Sequence, residues 1–365
     1  MRGLGKTSSH LNAMRRNLAP ANLNVSDEGR LEPLTNFGSN PGGLVCHVYA
    51  PKAELQGLVV ILHGCTQSAS SYDQGSGWSR LAERHGFAVM FPQQRRANNP
   101  NLCFNWYEPN HARRGQGEAL SISQMVKTVT QRYGLDRSRV FVTGLSAGGA
   151  MTAVMLACYP ELFAGGAIIA GLPFATADTL PEALERMRGQ RFPGRAELAA
   201  LVEDAAKFDG PPPTMSVWHG THDKIVDPAN ADAIVDQWRG LHGLSGSEPR
   251  VEKVSGHLRQ VWSDSSGNPL VEKYSISGMG HGTPLNSGDR EACGRPGPHM
   301  LETSICSTRQ MAQSWGLIPQ GTNVQALPTA SQVDRTASEP PNQPRHANRV
   351  AIVIEDALRS AGLVR

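Results

Sequence analysis

No stretch of the 365-residue chain approaches the roughly 20 apolar residues of a membrane-spanning helix, so no membrane span is expected. Long runs of Lys or Arg are also missing. The formal charge is only +3, and basic pairs such as Arg95-Arg96 and Arg113-Arg114 read as solvated surface, which leaves no footprint for nucleic acid. The six cysteines, at positions 46, 65, 103, 158, 293 and 306, include no C-x-x-C and no cluster with histidine, so no metal site is expected. Residues 1–18 are basic but broken by Ser, His and Asn, and lack the apolar core of a secretory signal. That absence predicts a cytoplasmic product, or export by another route. No internal repeat is found.

What the chain does have is enough length and apolar content, 39%, for one large α/β domain with a real core. Residues 1–35 read as a polar leader with weak helical character around Leu11 to Leu18. The catalytic-sized domain spans 36–318. Within it Leu44 to Tyr49 alternates like an antiparallel edge strand, and Gly57 to Leu62 and Phe87 to Pro92 are continuous apolar runs of the buried parallel kind. Helical spacing marks Trp78 to His85 and Ser121 to Tyr133, and buried strands follow at Arg139 to Thr143 and Gly166 to Ala170. The rhythm is β, α, β, α, β with short turns, which predicts a doubly wound, mainly parallel sheet.

Residues 173–213 interrupt that rhythm with helical segments at Glu182 to Arg188 and Ala196 to Lys207, read as a cap-like insertion or an extended crossover. The sheet resumes at Thr214 to Trp218, followed by a helix from Ala229 to Trp238. Val251 to Val261 and Val271 to Ile276 read as a hairpin or as the last two strands, and Ser307 to Trp315 as the closing helix. Residues 319–348, rich in Pro, Ser, Thr, Asn and Gln, read as a disordered linker. In 349–365, Val350, Ile354, Ala357, Leu358 and Ala361 share one face of a short amphipathic helix that can dock on this domain or on a partner.

The chemistry is concentrated where Arg139 to Thr143 runs through Gly144-x-Ser146-x-Gly148 into an apolar helix former, Ala150 to Tyr159. Strand, G-x-S-x-G and helix together make a nucleophile elbow, whose tight turn demands small residues two before and two after the serine. An ordinary glycine-rich turn with an N-cap serine is the bland alternative. A serine hydroxyl needs a base, and the base needs an orienting carboxylate; in this order of elements acid and histidine follow the serine. Asp223 and His281 stand just beyond two strands, at the edge where the elbow points. Asp227, followed by Pro228, competes for the acid role but suits a helix cap. His219 and His222 read as structural, and His257, His299 and His111 lack the glycine-flanked setting of His281. The expected oxyanion donors are the N–H groups of Ala147 and of Cys65, in the loop after Leu62. Substrate selectivity is expected from Trp106 and Tyr107, inside the long 93–117 segment, and from the 173–213 insertion; packing in the core is the other reading of Trp106. Cys158 reads as a buried hydrophobe, while Cys65 with Cys103, or Cys293 with Cys306, can pair in an oxidising compartment.

These residues resemble the esterase family of polyhydroxybutyrate (PHB) depolymerases, related to feruloyl and acetylxylan esterases of the α/β-hydrolase fold. The likeness runs from about Phe37 to Leu317 and is carried by Leu62-His63-Gly64-Cys65-Thr66-Gln67, Arg96-Ala97-Asn98-Asn99-Pro100, Asn105-Trp106, Gly144 to Met151, Trp218-His219-Gly220-Thr221-x-Asp223 with Val226 and Pro228-Ala229-Asn230, and Gly278 to Gly282. It implies nucleophile Ser146, acid Asp223, base His281 and oxyanion donors at Cys65 and Ala147, with no metal and no cofactor. It implies an ester hydrolase acting through an acyl-enzyme on a small or oligomeric ester, and an extracellular setting. Feruloyl or acetyl esters of plant polysaccharide are the alternative substrates. A non-catalytic binding protein on the same fold is the alternative of another class.

Overall fold

The computed structural model describes residues 30–205, 208–288, 292, 294–319 and 324–326. The expected C-terminal helix, Cys293 and the leader as far as residue 29 lie outside the described residues. Among the described residues, eleven strands join in one sheet. In chain order they are β1 (Glu32–Pro33), β2 (Val45–Tyr49), β3 (Leu58–Leu62), β4 (Ala88–Gln93), β5 (Val140–Leu145), β6 (Gly165–Ile169), β7 (Thr214–Gly220), β8 (Arg250–Val254), β9 (His257–Ser263) and β10 (Pro269–Ile276). The small pair β11 (Thr283–Leu285) and β12 (Met300–Glu302) stands apart, and β13 (Val324–Ala326) is the last member of the main sheet. Across that sheet the order is β1-β2-β4-β3-β5-β6-β7-β10-β9-β8-β13.

From β4 through β3, β5, β6 and β7 to β10 every neighbouring pair is parallel, and the strands outside that stretch are antiparallel. Parallel strands need crossovers, and the helices supply them. These are α1 (Ala69–Ser76), α2 (Trp78–His85), α3 (Gly117–Tyr133), α4 (Ala147–Cys158), α5 (Leu180–Met187), α6 (Arg195–Ala205), α7 (Ala229–Leu241) and α8 (Ser307–Ser314). Every residue of β3, β5 and β6 is buried, which explains why those runs are apolar without alternation. The two faces are nonetheless distinct. Leu58, Val60 and Leu62 enter one apolar layer with Ile122, Met125 and Met151. Val59 and Ile61 enter the opposite layer with Trp78, Leu81 and Met311. Trp315 anchors that second layer, stacked on Phe141 and Trp78 at centroid distances of 4.8 and 6.0 Å.

Three features differ from expectation. Residues 251–261 are not one strand: Ser255 (φ 51°) and Gly256 (φ 85°) turn the chain so that Val254 pairs with His257, and β8 and β9 form a hairpin. Two central residues with positive φ are the signature of a two-residue hairpin turn. Second, β2 is not the outer edge, because Glu32–Pro33 pairs beyond it. Third, α1 lies where no helix is expected, with Ser68 and Ser71 exchanging side-chain and backbone hydrogen bonds as a capping box. Of the linker expected over 319–348, Val324–Ala326 is described as a strand and pairs with β8. The stretch 173–213 carries α5 and α6, immediately before the strand that leads to Asp223.

Candidate active site

Ser146 sits between β5 and α4 with φ 57° and ψ −119°, a conformation that a residue with a Cβ adopts only under constraint. The constraint is visible. A Cβ on Gly148 would stand 2.2 Å from the Leu62 carbonyl oxygen, and one on Gly144 would stand 2.4 Å from the Gly148 carbonyl oxygen. Both glycines are therefore required by the closeness of β3, β5 and the start of α4. The Ser146 N–H donates to the Ile169 carbonyl at 2.9 Å, which pins the turn to β6. All of α4 is buried, so the serine heads a helix that the core surrounds.

Asp223 follows β7. Its Oδ1 accepts the N–H groups of Ile225 (2.8 Å) and Val226 (3.0 Å), which holds the carboxylate still. Its Oδ2 lies 2.7 Å from His281 Nδ1 and 3.4 Å from His219 Nε2. Burial alone would raise the Asp223 carboxyl, but the hydrogen bonds and charge from His219 and His281 outweigh it and hold the group well below the usual carboxylate range. An ionised oxygen can only accept, so His281 donates from Nδ1, and in the neutral ring that leaves Nε2 as the lone-pair nitrogen. Asp227 does not join this group; its Oδ1 accepts the Ala229 N–H at 2.9 Å and caps α7. His219, read as structural, also donates from Nε2 to the Val226 carbonyl at 2.9 Å, and so ties the acid to the loop that carries it. His222 has Thr221 Oγ1 3.2 Å from its Nδ1, and its N–H donates to the Met279 carbonyl at 2.9 Å.

The loop after β3 is fixed by His63. Gln94 N–H lies 3.1 Å from His63 Nε2, and His63 Nδ1 lies 2.8 Å from the Gly64 carbonyl. The amide can only donate and the carbonyl only accept, so the ring is neutral with its proton on Nδ1; burial lowers its pKa to about 4. Gly64 N–H in turn donates to Gln67 Oε1 at 2.8 Å. A disulfide joins Cys65 to Cys103 and so ties this loop to the 93–117 segment. That segment is organised around the buried Glu118, which accepts from Gln94 Nε2 (2.6 Å), Asn105 N (2.9 Å) and Asn105 Nδ2 (2.7 Å). Burial pushes the Glu118 carboxyl up to about 7, against the pull of those bonds.

Ser146, Ala147, Cys65 and His281 line one cavity of about 550 Å³. Trp106 and Tyr107 line it too, packed edge to face at 5.4 Å, and Trp106 also packs in the core. Leu180, Ala183, Leu184 and Met187 of α5 line it as well. The sequence passes over His299, which the structure brings to the cavity wall with its ring 5.7 Å from that of His281. Its sequence signal is slight, a histidine after Gly297-Pro298 in a segment without helical or strand periodicity. Among the described residues no group of three or more His, Cys, Asp or Glu side chains gathers as a metal site requires, and no helix is long and apolar enough to cross a membrane.

Comparison with known proteins adds to this geometry. The family model described as esterase PHB depolymerase matches residues 46–254. The chain is 42% identical over 326 residues to poly(3-hydroxyalkanoate) depolymerase C of Paucimonas lemoignei, a match covering 86% of this chain and 78% of that protein. It is 34% identical over 275 residues to acetylxylan esterase A of Aspergillus oryzae, covering 72% of this chain and 87% of the relative. Feruloyl esterase B of Talaromyces funiculosus is 32% identical over 268 residues, covering 70% and 74%. Among solved structures, an acetyl xylan esterase from Aspergillus awamori superposes with a TM-score of 0.67 at 25% identity, covering 80% of this chain and 100% of that one. Matched by that model over more than half its length, and by these relatives over more, the chain belongs to the esterase PHB depolymerase family and is a carboxylic-ester hydrolase of the α/β-hydrolase fold.

Proposed function

We propose that this hydrolase cleaves esters derived from poly(3-hydroxyalkanoates), or short oligomers of them, through a covalent acyl-enzyme on Ser146. His281 Nε2 takes the serine proton as Oγ attacks the ester carbonyl, and the tetrahedral oxyanion is met by the N–H groups of Cys65 and Ala147. The intermediate collapses with transfer of the same proton to the departing alkoxide. Water, activated by His281, then attacks the acyl-enzyme and releases the acid, restoring the serine. Asp223 keeps the His281 proton on Nδ1 and stabilises the imidazolium. The observation that carries this reading is that Ser146, on its strained elbow, and His281, whose Nδ1 lies 2.7 Å from Asp223, line one cavity.

A second reading, hydrolysis of acetyl or feruloyl esters on polysaccharide, draws support from the acetyl xylan esterase that is covered over its whole length. Hydrolysis of p-nitrophenyl butyrate, 3-hydroxybutyrate oligomers, methyl ferulate and acetylated xylan by the wild type and by Ser146→Ala tests both. The expected result is fastest turnover of the oligomers and a loss of at least about 10⁴-fold in the variant. Faster turnover of ferulate or acetylxylan would select the second reading. A folded wild type inert on every ester would leave a binding protein on a hydrolase fold.

A further inference from the structure

We infer that His299 is a positioning residue for the proposed general base, holding the main chain of His281 while Asp223 holds its ring; the inference rests on the esterase reading above. Gly297 and Met300 close a tight turn, with Met300 N–H donating to the Gly297 carbonyl at 2.9 Å and Gly297 N–H to the Met300 carbonyl at 3.1 Å. Pro298 and His299 are its central residues, and His299 has φ 59°. A turn with proline first and a positive φ second takes glycine or asparagine by preference, because any larger side chain is strained there. A histidine in that seat is held by what it contacts.

The contacts go to one short segment. His299 Nδ1 lies 3.1 Å from the His281 carbonyl oxygen. A carbonyl only accepts, so Nδ1 carries the proton and donates. The His299 carbonyl accepts the Thr283 N–H at 2.8 Å. Between these two bonds stands Gly282, where a Cβ would meet the His299 carbonyl oxygen at 2.7 Å and its carbon at 2.9 Å. His299 therefore grips the chain immediately after the His281 ring, on both sides of a glycine that lets it come close. The two imidazoles pack edge to face at an interplanar angle of 81°.

Asp223 sets the tautomer and rotation of the His281 ring, and on the chain before that ring the Met279 carbonyl accepts the His222 N–H at 2.9 Å. The His281 backbone lies between Gly280 and Gly282, and a Cβ on Gly280 would touch nothing within 4 Å. The grip of His299 holds the chain on the other side of the ring, and a base misplaced by about 1 Å costs on the order of 100-fold in rate.

The test compares His299→Gly, which suits the positive φ but removes the donor, with His299→Asn, which also tolerates that φ and offers an amide N–H near the position of Nδ1. On p-nitrophenyl butyrate the glycine variant is expected to lose about tenfold in kcat with KM changed less than about twofold, and the asparagine variant to recover most of that loss. Should the glycine variant not fold, His299→Ala against His299→Asn makes the same comparison. Equal kcat in the donor-less and asparagine variants, or a loss carried by KM, overturns the positioning role. Ser146→Ala runs beside them: if it retains full activity the esterase reading of the site fails, whereas if it is inert and the two His299 variants match, only the inference fails.

Discussion

At the scale of single residues, the elbow is a matter of tenths of an ångström. A methyl group on residue 148 would lie 2.2 Å from the Leu62 carbonyl oxygen and 2.5 Å from that of His63, backbone atoms where β3 ends and the loop that carries Cys65 begins. Backbone cannot swing aside as a side chain can. Gly148→Ala is therefore expected to cost about 3 kcal/mol or more, read from urea unfolding, and to abolish ester hydrolysis in whatever fraction folds. This demand is local in the chain, which is why G-x-S-x-G was legible. Asp223 was separable from Asp227 for a similar reason: Pro228 announces a helix start, and Asp227 takes the Ala229 N–H there. His299 was not legible. The segment it grips lies 18 residues back, and its turn breaks the preference for glycine that a sequence reader relies on.

At the scale of elements, the proposed oxyanion donor Cys65 and the aromatic wall of the cavity are joined by one covalent bond. The Cys65–Cys103 disulfide closes a loop with a sequence separation of 38, for which chain entropy gives about 4 kcal/mol of stabilisation. Replacing both cysteines by serine is expected to lower unfolding free energy by about 2–4 kcal/mol, and to lower kcat on p-nitrophenyl butyrate more than it raises KM, because the loop that presents the Cys65 N–H loses its tether. Denaturant melts and initial rates measure the two effects separately. The elements themselves were largely readable from periodicity, and the failures have physical causes. Ser255-Gly256 is a turn signal, but a two-residue turn takes so little sequence that Val251 to Val261 reads as one run. Helix α1 carries Ser, Asp, Gln and Gly and depends on its cap and on burial of Tyr72, which no propensity announces.

At the scale of the whole molecule, two buried titratable groups pull its stability in opposite directions. His63 stays neutral in the fold down to about pH 4, whereas in the unfolded chain it takes a proton near its ordinary value of 6.5. Its contribution is therefore lost as pH falls through that window. Glu118 behaves inversely: its folded pKa of about 7 exceeds the ordinary 4.5, so stability is lost as pH rises between them. The margin of the wild type over His63→Gln is expected to widen, by roughly 3 kcal/mol, as pH rises from about 4 to about 6.5. The margin over Glu118→Gln is expected to shrink as pH rises from about 4.5 to about 7. Urea titrations across that range check both signs. The parallel sheet was legible because βαβ rhythm leaves few topologies; of the cavity wall, Trp106, Tyr107 and the α5 residues stand in segments that the sequence marks, whereas His299 does not, since the wall forms where segments distant in sequence meet. The mounting of Ser146 also bears on how such a site can diversify. The proposed nucleophile heads a helix with no exposed side, so change there is expected to disturb catalysis and core at once, whereas Leu184, Met187 and Tyr107 reach the cavity from half-buried positions. New substrate preferences are therefore most accessible through the walls, with the reacting centre inherited intact.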